Sequence, residues 1–231
     1  MCKPDVIKLI IIATTVLSLM MTAYPAVEKF QERTLETIKL PPPRHTSSIS
    51  VEEALTKRRS VRDFKKSTLR LGDVSQLLWA AQGISGQQGK RTAPSAGALY
   101  PLEVYILCAD VESLSDGVYH YQPETHTLRT MARGDKRRLL AAAAMMQGAV
   151  SDGSAVLVIS AKYQRTTVKY GERGKMYVHM EAGHAAQNVC LQAVSLGLNT
   201  VTIGAFSDNL VKRVMQLPED EIPLYLMPLG K

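Results

Sequence analysis

The stretch RRSVRDF, residues 58–64, puts three arginines into seven positions, with a serine and an aspartate among them. A guanidinium presents forked N–H donors to a carboxylate or phosphate. A cluster of this kind therefore either decorates a solvated helix end or holds something doubly negative. The helix dipole favours cations in a last turn by ~0.3–1 kcal/mol, which accounts for Arg58 and Arg59 but not for Arg62, beyond the helix end. A second stretch, TAPSAGALYP (92–101), is a run of small residues between prolines. Alone it reads as an ordinary turn before a strand. Beside an arginine cluster it suggests backbone amides approaching a ligand that carries both a flat ring system and a phosphate. A third, HMEAGH (179–184), invites a metal reading. On a helix His179 and His184 are ~140° apart and cannot grip one ion as an i, i+4 pair would, so no metal site is expected. Gly183 in mid-helix costs ~1 kcal/mol against alanine and is expected to admit the close approach of another helix or a flat ring.

The elements that must position these residues follow from pattern. Ser50 with Glu53 forms a capping box opening a helix that ends near Arg59. Apolar residues at helical spacing over 71–83 stop at Gly83, and a Gly/Pro-rich loop follows to Pro101. Strands are predicted at 102–109, 117–121 and 126–132, a helix over 135–146, and a strand at 154–163, apolar on both faces at its centre. A long amphipathic helix runs from about Glu172 to Leu196, closed by GLN. TVTIGA (200–205) reads as a strand, the following helix starts at Ser207, and PLYLMPLG (223–230) is a last strand. Helices mixed with strands indicate an α/β or α+β class.

A chain of 231 residues with 45% hydrophobic content can bury one substantial core. The formal charge of +7 is spread along the sequence without a lysine-arginine block or aromatic-basic interleaving, so no nucleic-acid partner is expected. The first 26 residues stand apart. Lys3 and Lys8 flank an apolar run from Leu9 to Met21 that is shorter than the roughly 20 residues of a spanning helix. Small residues follow at Ala23 and Ala26. This is the pattern of an export signal, with an uncleaved anchor through residues 7–23 as the alternative. Cys2 precedes the apolar run, so it is not a lipid-bearing cysteine. Residues 27–49, with PPP at 41–43, read as a linker or extended arm, and 50–231 as the folded domain. Cys108 and Cys190 read as buried thiols.

In this order RRSVRDF, APSAGALYPLEVY, GVYHY, KYGERG, EAGHAAQNVCLQAVSLGL, IGAF and the terminal MPLG resemble the nitroreductase superfamily, and within it the SagB-type dehydrogenases, the azoline oxidases of peptide natural-product pathways. The resemblance spans about residues 50–231. It implies a three-layer α+β fold with a central mixed sheet and a long core helix, a homodimer, and FMN at the dimer interface. By position Arg58, Arg59 and Ser60 resemble the residues that hold the FMN phosphate and ribityl chain, and Arg62 the cation beside the pyrimidine edge of the ring. Pro94, Ser95 and Gly97 resemble the loop laid against the flavin by the other subunit. Ile203 and Gly204 resemble the strand end near N5.

A phosphate monoester, at roughly −1.5 to −2, suits such guanidiniums, and a separate cation near the ring favours flavin reduction. Many relatives continue past the last strand to a further phosphate-binding basic residue, and here Lys231 alone could take that part. In the azoline oxidases a Lys-Tyr pair is thought to act as base. Lys169-Tyr170 matches it, the alternative being an ordinary strand-to-helix connection.

The expected activity is FMN-dependent, ping-pong hydride transfer on a small-molecule or peptide substrate. A flavin-binding partner or scaffold without turnover is the alternative. With no Rossmann glycine fingerprint, a nicotinamide would only visit the flavin pocket. Export would separate the enzyme from cytosolic NAD(P)H and require a membrane or periplasmic electron donor.

Overall fold

The computed structural model describes residues 36–231. The export or anchor segment and the first part of the arm lie outside the described residues. Residues 36–49 lie on the domain, where Thr37–Lys39 forms the edge strand β1 against β4 (Thr127–Arg133).

The sheet has seven strands in the order β1-β4-β3-β2-β5-β7-β6, with β2 Leu102–Cys108, β3 Gly117–Gln122, β5 Ala155–Ala161, β6 Asn199–Thr200 and β7 Ile222–Gly230. Its ladders are antiparallel. The parallel component that the resemblance implies is confined to two isolated bridges, Ser60–Thr200 and Leu69–Val111. Every residue of β5 is buried, because helices cover both faces of the sheet.

Strand alternation sorts the core into two layers. Val104, Ile106, Leu157 and Ile159 face α2 (Leu71–Gln82) and α6 (Arg173–Ser195). Tyr105, Leu107, Val156 and Val158 face α3 (Arg137–Ala143), α4 (Gly148–Asp152) and α7 (Asp208–Met215). Helix, sheet and helix make three layers of an α+β fold, with α6, about 35 Å long, as its long core helix.

Local chemistry sets the helix ends. Ser50 accepts from Glu53 N at 3.1 Å and opens α1 (Val51–Lys57). At the end of α6, Gly197 takes φ +67° and donates to Val194 O at 3.0 Å, while Leu198 donates to Ala193 O at 2.8 Å, a Schellman motif. Gly83 ends α2 for another reason, since its φ is −67°. A Cβ there would lie 2.2 Å from Trp79 Cδ1, so the chain turns tightly over the indole only without a side chain.

Two expectations change. TVTIGA pairs as the two-residue β6 plus a single bridge from Ile203 to Leu226. The stretch read as a connection before the long helix instead carries α5 (Gln164–Tyr170), which puts Lys169 and Tyr170 in a last helical turn. Gly171, at φ +56°, breaks α5 from α6, and Gly174 lets the two pack closely. A Cβ on Gly174 would lie 3.0 Å from Thr167 Cα.

One stripe of α6 gathers the non-helical segments around it. Seven residues make nearly two turns, so Gly174, Glu181, Asn188 and Ser195 lie almost in line. Gly174 receives α5 and Glu181 faces Ser95. Asn188 Nδ2 donates to Thr92 O at 3.3 Å, and Ser195 Oγ meets Ser47 Oγ at 2.7 Å.

Candidate active site

The arginine stretch leaves α1 and runs along the far edge of the sheet. Val61 N donates to Thr200 O at 3.1 Å, beside the Ser60–Thr200 bridge, and Lys65 N donates to Lys231 O at 2.6 Å. Phe64 packs on Gly230 so closely that a Cβ on that glycine would come within 2.7 Å of its ring. Arg58, Arg59, Ser60, Arg62 and Lys231, up to 173 positions apart in sequence, thus lie along one edge.

The arginines are not equivalent. Arg59 folds back, its Nη1 donating to Thr56 O at 2.9 Å and Arg58 O at 2.8 Å, and so caps α1. The side chains of Arg58 and Arg62 make no hydrogen bond or ion pair among the described residues. Arg58 lies near Cys190 on α6, whose thiol burial pushes up in pKa while Arg58 acts the other way. At the same edge Ile203 exchanges two 2.9 Å bonds with Leu226. Gly204, next to it, is exposed, and the nearest atom to a Cβ there would be Tyr225 Cε1 at 3.9 Å.

Pro94, Ser95 and Gly97 form a second group. Their loop is anchored at Thr92, which donates through Oγ1 to Trp79 O and Ala80 O, each at 3.0 Å. Ser95 Oγ accepts from Tyr100 N at 2.9 Å. Gly97, Ala98 and Tyr100 all take positive φ (63°, 52° and 45°), a strained turn that needs firm support. Against it lies the Lys-Tyr pair of the same chain: a Cβ on Gly97 would be 2.9 Å from Tyr170 Oη and 3.1 Å from Lys169 Nζ. Arg165 braces the contact, donating to Tyr100 O at 3.0 Å and to Glu103 Oε1 at 2.5 Å. Lys169 itself is exposed, with its ammonium 5.4 Å from the Tyr170 ring centre. No hydrogen bond, ion pair or ring contact joins this group to the arginine edge among the described residues.

Residues 55–231 match the nitroreductase family. The chain belongs to the nitroreductase family. It is 47% identical over 183 residues to a Methanocaldococcus jannaschii protein provisionally named a nitroreductase, covering 79% of this chain and 91% of that one. A solved structure of a provisionally named nitroreductase from Anabaena variabilis superposes with a TM-score of 0.76 at 29% identity, over 88% of this chain and 43% of the longer Anabaena chain. A chain of the Escherichia coli microcin synthetase McbBCD complex, solved with truncated pro-MccB17 bound, aligns with a TM-score of 0.66 at 26% identity, over 90% of this chain and 82% of that chain. These relatives place the chain among oxidoreductases and beside the SagB-like dehydrogenase branch of the family.

The nitroreductase-family chain offers what a flavin mononucleotide needs. The uncommitted guanidinium of Arg58 and the Lys231 ammonium suit a phosphate, the uncommitted Arg62 suits the edge of a ring, and the bare backbone at Gly204 leaves room for a flat ring. A cleft of about 640 Å³ between residues 44–51, α2 and α6 contains none of these residues.

The sequence reading also passed over residues that organise the site. Arg165 and Asn188 hold the loop and gave no signal beyond being polar residues in helical patterns. Glu181 drew notice only within a metal motif. His179 instead meets Tyr163 Oη at 2.5 Å, and no group of three or more His, Cys, Asp or Glu side chains is placed to hold a metal among the described residues. The close approach expected at Gly183 is not made within the chain. Among the described residues nothing lies within 4 Å of its would-be Cβ, and the tight helix contact falls at Gly174 instead.

Proposed function

We propose that this chain is an FMN-dependent oxidoreductase of the SagB-type dehydrogenase kind, working as a homodimer with two composite sites. The observation that carries this reading is the sheet edge that bears the uncommitted Arg58 and Arg62, Lys231 and, beside the Ile203–Leu226 bridge, the exposed backbone of Gly204. Bound there, FMN would supply a two-electron carrier that takes hydride at N5 from one substrate and passes it to another in ping-pong fashion. Arg58, with Ser60 and Lys231, would hold the phosphate and ribityl chain, and Arg62 would sit by the pyrimidine edge. Arg59, engaged in capping α1, would help mainly by fixing the segment. Pro94, Ser95 and Gly97 would close the site of the partner subunit, bringing Lys169 and Tyr170 with them. Lys169 would take a proton from substrate, and the Tyr170 hydroxyl would orient it.

A two-subunit site accounts for the separation of the arginine edge from the Gly97 loop within one chain. The exposed Met176 and Met180 on α6, with Gly183 beside them, give that helix an apolar and small face for a second copy. The substrate is a small molecule or a peptide bearing a heteroatom next to the carbon that is oxidised. The likeness to the microcin synthetase chain supports a peptide.

A chain purified from residue 27 onward should be yellow, release FMN on denaturation, and sediment as a dimer. Because ligand bound to the assembled form stabilises it, flavin content should fall as the dimer is diluted apart. A colourless protein that fails to take up added FMN would overturn the reading, and a monomer with stoichiometric FMN would overturn the composite site.

We further propose that residues 1–26 direct export and that the electron donor is a membrane or periplasmic partner. Residues 1–30 fused to a reporter active only outside the cytoplasm should give an active reporter. An intact but inactive cytosolic fusion would remove the export proposal.

A further inference from the structure

α6 buries a carboxylic acid that nothing in the proposed chemistry uses. Glu181 is 2% exposed, in the middle of a helix whose buried face is otherwise mostly alanine, valine and glycine. Its Oε1 has no hydrogen-bond partner, and neither does the buried Nε2 of Gln82 on α2. Ser95 and Gln82 face the carboxyl group without a bond of ordinary geometry between them. A buried polar atom left in this way is unfavourable, and an unpaired charge more so, so the site favours an uncharged group that can both donate and accept.

We propose that Glu181, as the neutral acid, seats the 92–100 loop on α6 and so positions Ser95 and Gly97 beside Lys169 and Tyr170, and that its ionisation loosens the loop. Only the identity of the loop as part of a flavin site rests on the function proposed above. The seating itself concerns contacts within the chain.

The surroundings agree. From the loop, Ser95 and Arg91 face the carboxyl group; from α2, Gln82 does. Arg91 is already committed, donating to Gln82 Oε1 at 3.1 Å and to Glu124 Oε1 at 3.0 Å, with its guanidinium 4.8 Å from the Tyr100 ring centre. Lys169 lies beyond, beside Gly97. On α6 itself the neighbours one turn away, Val178 and Ala185, are apolar. Burial therefore outweighs the attraction of Arg91, and the Glu181 pKa is raised to about 7.

The sign follows from linkage. The acid binds its proton more tightly in the seated loop than in the opened one, where the ordinary value of 4.5 applies. Seating is then strongest below pH 4.5, weakens as pH rises toward 7, and levels off above it. Between pH 6 and pH 8 the protection of the loop should fall about tenfold.

Hydrogen exchange of residues 92–100, measured on the full chain with and without added FMN, tests this. The ratio of wild-type to Glu181→Gln protection at each pH cancels the intrinsic exchange rate. Glutamine keeps the shape and a donor but cannot ionise. The ratio should fall about tenfold from pH 6 to pH 8, with or without flavin, and Glu181→Ala should lose protection at both. A ratio that stays constant with pH overturns the proposal, whatever the flavin does. If the ratio falls in a chain that never binds FMN, this inference stands and the cofactor assignment is the one that fails.

Discussion

Lys169→Ala should slow substrate-driven flavin reduction by about a hundredfold or more while leaving reoxidation by a quinone unchanged. Dehydrogenation next to a heteroatom requires a proton to leave one atom as hydride leaves its neighbour. Only the first half-reaction needs a base. The structure puts the Lys169 amine and the Tyr170 hydroxyl within about one side-chain contact of Gly97, inside the loop assigned to the flavin's far face. In the single chain the Lys169 side chain is exposed and open to a bound substrate. Tyr170, half-buried against Tyr177 with ring centres 5.1 Å apart, is better fixed and suited to orienting. Stopped-flow measurement of each half-reaction checks the assignment. If both survive in the variant, Lys169 is not the base, and nitro or quinone reduction, which needs none, describes the enzyme better.

Much of this fold is legible in the sequence because its signals are local. The Ser50 half of the expected capping box, whose Glu53 carboxylate pairs with Lys57 instead, the Gly197 end of α6 and the continuous apolar run of β5 each state their structure within a few residues. What escaped is set by contacts across the chain. α5 carries no cap and just seven residues, and it is held as a helix by packing on Gly174 and by the Arg165 brace. β1 is a three-residue strand that gains its partners solely from β4. TVTIGA has strand propensity, but its partner β7 is paired on its other side with β5, and only Thr200 and Ile203 reach it.

The site divides in the same way. The arginine stretch is conspicuous because charge density needs no three-dimensional information. Which arginine does what does require it, since the capping bonds of Arg59 depend on where α1 stops. That Gly97 would touch Lys169 and Tyr170, 72 and 73 positions away, could be expected from the family resemblance but not from spacing. Glu181 was in view only inside HMEAGH, where helical spacing already argues against a metal; that it faces a loop of the chain itself becomes visible only through burial and packing.

Arg58→Ala should yield a folded protein depleted of flavin, with FMN binding weakened about ten- to a hundredfold. Arg58 is half-buried at the C-cap of α1, and its side chain makes no hydrogen bond or ion pair among the described residues, so its removal breaks none and should leave the chain folded. On the function proposed, it would remove a charge-assisted bond to a phosphate, about 1.5–3 kcal/mol, which is one to two decades in affinity. Arg59→Ala provides the contrast. Its guanidinium is spent on Thr56 O and Arg58 O, so the loss should appear mainly in α1 stability, by ~0.3–1 kcal/mol, with a smaller effect on flavin. Arg62→Ala should change the colour and redox behaviour of the flavin more than its retention, since a cation by the ring acts on electronics while phosphate contacts act on affinity. Titrating FMN into the three variants at low micromolar protein separates these effects. Full occupancy in Arg58→Ala would remove the phosphate from this edge and with it the placement of the flavin, whereas equal losses at Arg58 and Arg59 would give Arg59 a direct part in holding the phosphate.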